Sequence, residues 1–152
     1  MSEAQRRKQY EDVQAIVNLK ARYVEAADGG WTGKPPHDAA GVRDLFVPEG
    51  VWHADDFGGG EGHAGIYTYF ANAGEDTPMV FHHTGSPEIH VDGDRARGSW
   101  HVMVPMIQNG ASRMLVGIYN DDFVRTPDGW KFERLHFTPC AMIDLPGEWK
   151  LF

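Results

Sequence analysis

From about residue 10 to residue 28, apolar side chains return every three or four positions: Val13, Ile16, Val17, Tyr23, Val24 and Ala27. That spacing predicts one long amphipathic helix with a single buried stripe. Gly29-Gly30 ends it, glycine being a ready helix terminator. After a polar, proline-bearing loop over 32–36, a short helix is expected over about 37–46, with Val42, Leu45 and Phe46 turned inward. Pro48-Glu49-Gly50 then turns the chain into a brief strand over 51–54. Residues 55–62 are glycine-rich and are expected as a flexible loop, with the freedom to act as a lid. Ile66, Tyr67, Tyr69 and Phe70 mark a third short helix, closed by Gly74.

From Met79 onward the period shortens to that of strands, expected over about 79–91, 95–107, 112–126 and 130–143. The connectors Asp92-Gly93-Asp94, Gln108-Asn109-Gly110 and Pro127-Asp128-Gly129 carry turn chemistry. Helices first and an antiparallel meander afterwards make an α+β pattern. A strongly curved sheet wrapped around the long helix would enclose a pocket. Met103, Met106, Met114 and Met142 fall where they can line it, although methionine also serves as plain core filler.

Composition narrows the function classes. The 152 residues suit a single domain over 1–152, with about 1–9 as a flexible tail. A net charge of −8 argues against nucleic acid and against an anionic membrane surface, both of which need a basic face. Cys140 is the one cysteine, which excludes an internal disulfide and a thiolate-clustered zinc site. No apolar run approaches the roughly 18 residues of a membrane span, and the first residues, MSEAQRRKQYED, lack a signal-peptide core. A cytoplasmic protein is expected.

Among polar residues, Asp28 falls on the apolar stripe of the first helix, four positions after Val24. A carboxylate there loses solvation and sits at the negative end of the helix dipole, so it needs a donor partner. Alternatively, it opens the exit turn and faces water. Of the adjacent His82 and His83, an extended chain points one inward. A histidine against a buried carboxylate has a fixed tautomer suited to proton abstraction. Asn120 shares strand parity with Met114, Val116, Ile118 and Val124, where a carboxamide must find or bind a partner. His101 groups by alternation with the exposed Arg95, Arg97 and Ser99, and only a bulge near Gly98 would turn it inward. Two motifs are set aside. Gly60-Glu61-Gly62-His63-Ala64-Gly65 matches the dinucleotide fingerprint but lacks a following parallel βαβ unit. His53-Ala54-Asp55 with a later histidine has the make-up of an oxygenase iron triad. The chain is short for that fold, and Asp55 is expected in a loose loop. No metal and no cofactor are expected.

Several segments together resemble the SnoaL-like polyketide cyclase, scytalone dehydratase and hexachlorocyclohexane dehydrochlorinase group of the nuclear transport factor-like superfamily. They are Ile16-Val17-Asn18-Leu19-Lys20-Ala21-Arg22-Tyr23 leading to Asp28, Leu45-Phe46-Val47-Pro48-Glu49-Gly50-Val51-Trp52, His82-His83, Gly117-Ile118-Tyr119-Asn120-Asp121 and Arg125-Thr126-Pro127-Asp128-Gly129-Trp130. The resemblance implies N-terminal helices packed in a mixed, mostly antiparallel sheet that forms a cone-shaped half-barrel with an internal pocket. It implies a cofactor-independent lyase or isomerase in which Asp28 orients His82, seven residues before Ile89, as the base. It matches His101 to a second catalytic histidine and Asn120 to a substrate-holding residue. Tyr23, His53, Tyr67, His83, Met114 and Leu135 are expected to complete the substrate site. The implied partner is a small apolar or cyclic organic ligand, and a homodimer or homotrimer would cover the open sheet face. Ala27 and Ile118 replace a tyrosine and a serine of the fungal dehydratase, and Tyr23 and Leu135 replace a lysine and an arginine of the dehydrochlorinase, so neither chemistry transfers intact. The rival readings are a non-catalytic binding protein for an apolar metabolite and a structural small subunit of a ring-hydroxylating dioxygenase.

Overall fold

A computed structural model of the chain describes every residue except Thr32. The first helix, α1 (Glu3–Ala27), starts well before the apolar stripe does. Ser2 caps it in a box with Gln5: the Gln5 N–H donates to Ser2 Oγ at 3.2 Å, and the Ser2 N–H donates to Gln5 Oε1 at 2.6 Å. Residues 3–9 are therefore helical, not a flexible tail. Helix α2 (Ala39–Arg43) is shorter than expected, because Phe46 already belongs to the next strand. Asp38 caps it by accepting the Gly41 N–H at 2.9 Å.

Strand β1 (Phe46–Ala54) keeps Pro48 by slipping its pairing register between Phe46 and Val51, the kind of irregularity where a strand tolerates proline. The expected lid is instead strand β2 (Gly58–Glu61), paired antiparallel with β1. Its glycines serve close packing, since a Cβ on Gly59 would collide with the Trp52 carbonyl and one on Gly60 with the backbone of Gly65. Helix α3 (Gly62–Ala73) follows, closed by Gly74 as expected.

The expected first long strand divides into β3 (Met79–Val80) and β4 (His83–Asp92). Both pair with β5 (Arg95–Gln108), which continues into β6 (Ala111–Thr126) and β7 (Gly129–Asp144). The order is β2-β1-β7-β6-β5-β3, with β4 also on β5. All pairs are antiparallel except β1 with β7, so the sheet is mixed and closes as a strongly curled half-barrel around α1. Ile16, Leu19, Tyr23 and Ala27 of α1 pack against Trp100, Phe123 and Phe132 of the sheet, with Ile66 and Phe70 of α3 closing one side.

Charges also enter this core. Lys20 and Asp121 meet at 2.8 Å with side chains no more than 1% exposed. The Lys20 ammonium also lies 3.3 Å from the centroid of the Tyr119 ring. Nearer the helix start, Asp12 accepts from both terminal nitrogens of Arg125 at 2.8 Å and from Trp130 Nε1 at 3.2 Å. These contacts fix the axial position of α1 within the sheet, and with it the place where the helix ends.

Candidate active site

The helix ends against β3. Gly29 and Val80 exchange both backbone hydrogen bonds at 3.1 Å, which lays the helix exit alongside the sheet edge. Gly30 continues at φ +88, where a side chain would collide with the Pro78 carbonyl. Two residues beyond Val80, the His82 N–H points the same way and donates to Asp28 Oδ1 at 2.9 Å. The same oxygen accepts from His82 Nδ1 at 2.6 Å.

Proline in β5 explains why the strand breaks here. Phe81 donates its N–H to the Pro105 carbonyl at 3.1 Å, but Pro105 has no N–H to return. The ladder lapses over Phe81 and His82 without losing register, resuming at His83 opposite Met103. Alternation then sends Val80 and His82 inward, and leaves Phe81 and His83 exposed.

His82 lies on the wall of a cavity of about 110 Å³ between α1, α3 and the sheet. Aromatic rings dominate its lining, notably Tyr23, Trp52, Tyr69, Phe70, Tyr119 and Phe137. Trp52 Nε1 donates to the Tyr23 hydroxyl at 2.9 Å. Burial pushes the hydroxyls of Tyr23 and Tyr119 well above the ordinary phenol range, so both stay protonated. His37 also contributes to the lining, held at φ +62 with Nε2 3.3 Å from the Thr77 carbonyl. Burial lowers its basicity, which favours the neutral ring.

The structure thus brings His82 and Tyr23 together on the wall of one cavity, with Asp28 held against His82, and leaves other expected site residues outside it. His101 is exposed on the outer face, because β5 pairs with β6 without a bulge at Gly98 and strict alternation holds. The irregularity falls on β4 instead, between Gly85 and Glu88, with Ser86 at φ +51. Asn120 is likewise exposed, since the inward parity of β6 is Leu115, Tyr119, Asp121 and Phe123. Met114 shares the outer parity, and Met103 and Met142 are exposed, so Met106 is the one of the four expected methionines that lines the cavity.

Tyr67 lies on the outside of α3 beneath the Arg43 guanidinium, and Tyr69 takes the inward place. Leu135 is fully buried in the core without reaching the cavity. His53 and His83 are exposed. Sequence reasoning missed His37, Trp52, Tyr69 and Tyr119 in the lining. For His37, a non-glycine residue in the left-handed region after Pro35-Pro36 leaves no clear sequence signal. Asp55 is not in a loose loop: its N–H donates to the Phe137 carbonyl at 3.0 Å, and its carboxylate meets His136 at 2.8 Å.

A strongly curled mixed sheet closed over a long helix, with one aromatic cavity at the helix exit, defines a cone-shaped α+β protein of the nuclear transport factor-like kind. Residues 8–136 match the SnoaL-like domain family, and the chain belongs to that family. It is 32% identical over 100 residues to the uncharacterized protein Rv2910c of Mycobacterium tuberculosis, a span covering 63% of this chain and 68% of that one. Among solved structures, an NTF2-like protein with a cystatin-like fold from Novosphingobium aromaticivorans is 27% identical at TM-score 0.65, over 90% of this chain and 86% of that one. The hexachlorocyclohexane dehydrochlorinase LinA-type3 from Novosphingobium barchaimii shares the fold at TM-score 0.78 and 16% identity, over 99% of both chains. Among the described residues, no helix is long and apolar enough to cross a membrane.

Proposed function

We propose that this SnoaL-like protein is a cofactor-independent lyase or isomerase that removes a proton from a small ring compound, with His82 as the base. The observation that carries the reading is the 2.6 Å contact between Asp28 Oδ1 and His82 Nδ1 at the wall of an aromatic cavity. Asp28 fixes the tautomer: Nδ1 carries the proton it donates, so Nε2 is the nitrogen left to accept one from substrate. As the imidazolium forms, the carboxylate stabilises it, the role the third member plays in nucleophilic triads. The Tyr23 hydroxyl, kept protonated by burial and already accepting from Trp52 Nε1, is the donor available to an oxygen or leaving group that gains charge.

Cavity size limits the substrate. An apolar cavity of roughly 150 Å³ holds one benzene ring. About 110 Å³ therefore fits a single small ring better than a fused pair. General base catalysis supplies only about 10²- to 10⁴-fold, so the departing proton must already be acidified by a neighbouring carbonyl or leaving group. Elimination of water, elimination of halide and ring closure share this first step.

The test is a panel of monocyclic ketones and halides, scored for turnover and for thermal stabilisation of the protein. Turnover of any substrate found should fall about 10²-fold or more in His82→Gln, while the thermal shift the same compound induces persists. Equal turnover by His82→Gln and wild type would end the reading. Compounds that stabilise both proteins and are never converted would make the protein a binder.

A further inference from the structure

We propose that His53, Asp55 and His136 form a binding site for a first-row divalent transition metal on the outer face of the sheet, separate from the cavity. Asp55 Oδ1 lies 2.8 Å from His136 Nε2 and 3.2 Å from His53 Nε2, and the three ligand atoms are within 4.8 Å of one another. Metal bonds of about 2.0–2.2 Å to imidazole nitrogen and carboxylate oxygen need ligand atoms about 3–3.5 Å apart. Two of the three edges are already near that length. The third closes by turning the His53 ring, whose side chain is 48% exposed.

The backbone is built for this arrangement. His53 and His136 are direct partners in the parallel β1–β7 register, so their side chains leave the same face side by side. Asp55 follows two residues after His53 and is tied back to β7 through its N–H on the Phe137 carbonyl. Thr138 Oγ1 donates to Asp55 Oδ2 at 3.2 Å, which orients the carboxylate from behind as outer supports do at metal centres. Two imidazoles and one carboxylate suit zinc, cobalt, nickel, copper or ferrous iron rather than calcium or magnesium, which prefer oxygen. The remaining coordination positions face water.

One neighbour opposes the metal. Arg134 Nη2 lies 3.1 Å from His136 Nδ1, and a guanidinium can only donate, so Nδ1 accepts and Nε2–H donates to Asp55. Binding a metal at Nε2 moves that proton to Nδ1 and displaces Arg134, whose exposed side chain turns outward into solvent. Arg134 therefore weakens the site that His136 offers.

Zinc titration of the untagged full chain by calorimetry, with cobalt absorption as a second readout, tests the proposal. One equivalent should bind to wild type. That phase should be lost in Asp55→Asn and His136→Gln, weaken about tenfold in Thr138→Val, and strengthen in Arg134→Ala. His53→Ala changes a half-exposed position and serves if His136→Gln does not fold, with circular dichroism checking each variant. Absence of a one-equivalent phase in wild type overturns the proposal. So does a phase that survives both Asp55→Asn and His53→Ala, since the metal then belongs to other histidines.

Discussion

Replacing Lys20 with methionine removes the ammonium from a salt bridge that no water reaches. Lys20 Nζ and Asp121 Oδ2 are 2.8 Å apart with side chains 1% and 0% exposed, and Asp121 Oδ1 makes no hydrogen bond of good geometry among the described residues. Breaking one side of a buried pair costs about 3–5 kcal/mol, because the remaining charge is stranded. Asp121 limits that loss by taking up a proton. Holding a neutral carboxyl at pH 7, when the unfolded chain ionises near 3.9, costs about 4 kcal/mol, inside the same range. For a domain of this length each kcal/mol moves the melting temperature by about 2–4 °C, so Lys20→Met should melt about 6–20 °C lower at pH 7.

The pH dependence follows from the sign of the Asp121 shift. Burial already pushes Asp121 up to about 6 in the native protein, and losing Lys20 pushes it higher. A carboxyl raised on folding contributes stability that is full below its unfolded value and is lost as pH rises through its folded value. The variant, with the higher folded value, gains more on acidification from pH 7 to 5, so its deficit should narrow. Replacing both residues, as in Lys20→Met with Asp121→Leu, should recover most of the loss. Thermal melts of the three proteins at pH 5 and pH 7 decide the matter. A Lys20→Met protein that melts within about 2 °C of wild type at pH 7, or whose deficit widens at pH 5, would refute the reasoning.

Asp12→Asn should cost about 2–3 kcal/mol in urea unfolding at pH 7, through the lost charge on the two 2.8 Å contacts to Arg125. The Arg125 guanidinium holds the Asp12 carboxyl well below the usual carboxylate range, so this stabilisation is full above about pH 4 and fades as pH falls further. The gap between variant and wild type should shrink accordingly. Tyr23→Phe leaves Trp52 Nε1 buried without its 2.9 Å acceptor and should cost about 1–3 kcal/mol by the same assay. Gly30→Ala forces a side chain into a left-handed position against the Pro78 carbonyl. It should lose about 2 kcal/mol or more in chemical unfolding, and its His82 ring resonances should shift as the helix exit moves.

The sequence made α3 and the three tight hairpins legible because their periods and turn residues agree with what the tertiary structure needs. It misled where both faces of a strand look apolar. On β6, Met114, Val116 and Ile118 form the more hydrophobic parity, yet Leu115, Tyr119, Asp121 and Phe123 turn inward. Asp121 can be inward because Lys20 meets it from α1, and a partner 101 residues away leaves no local trace. The same holds for Asp12 with Arg125. Asp28 was legible as an anomalous carboxylate at the end of the apolar stripe, but it is the C-cap, in extended backbone just past Ala27, so the exit turn and not helical parity aims it at His82. His82 rather than His83 followed from the family resemblance, whereas the physical cause is alternation from Val80 across the gap that Pro105 opens.

Strands β1 and β7 present different side chains on their opposite faces. Ala54 and Phe137 face inward and line the cavity, while their neighbours His53 and His136 face outward beside Asp55. A one-residue slip of either strand would turn its histidine into the cavity, and a slip of β7 would put Phe137 in water. The register is therefore held by more than the ladder. The Asp55 N–H on the Phe137 carbonyl fixes the end of β1, and the Trp52–Tyr23 hydrogen bond fixes its middle to α1. Asp28, the residue that caps the end of that same helix, meets His82 just past it. A substitution that loosens β1 should thus disturb the cavity wall and the outer histidine cluster together. One confined to the His82 ring should leave the cluster intact, so metal affinity and turnover can be separated by mutation if the two sites are as independent as their opposite faces imply.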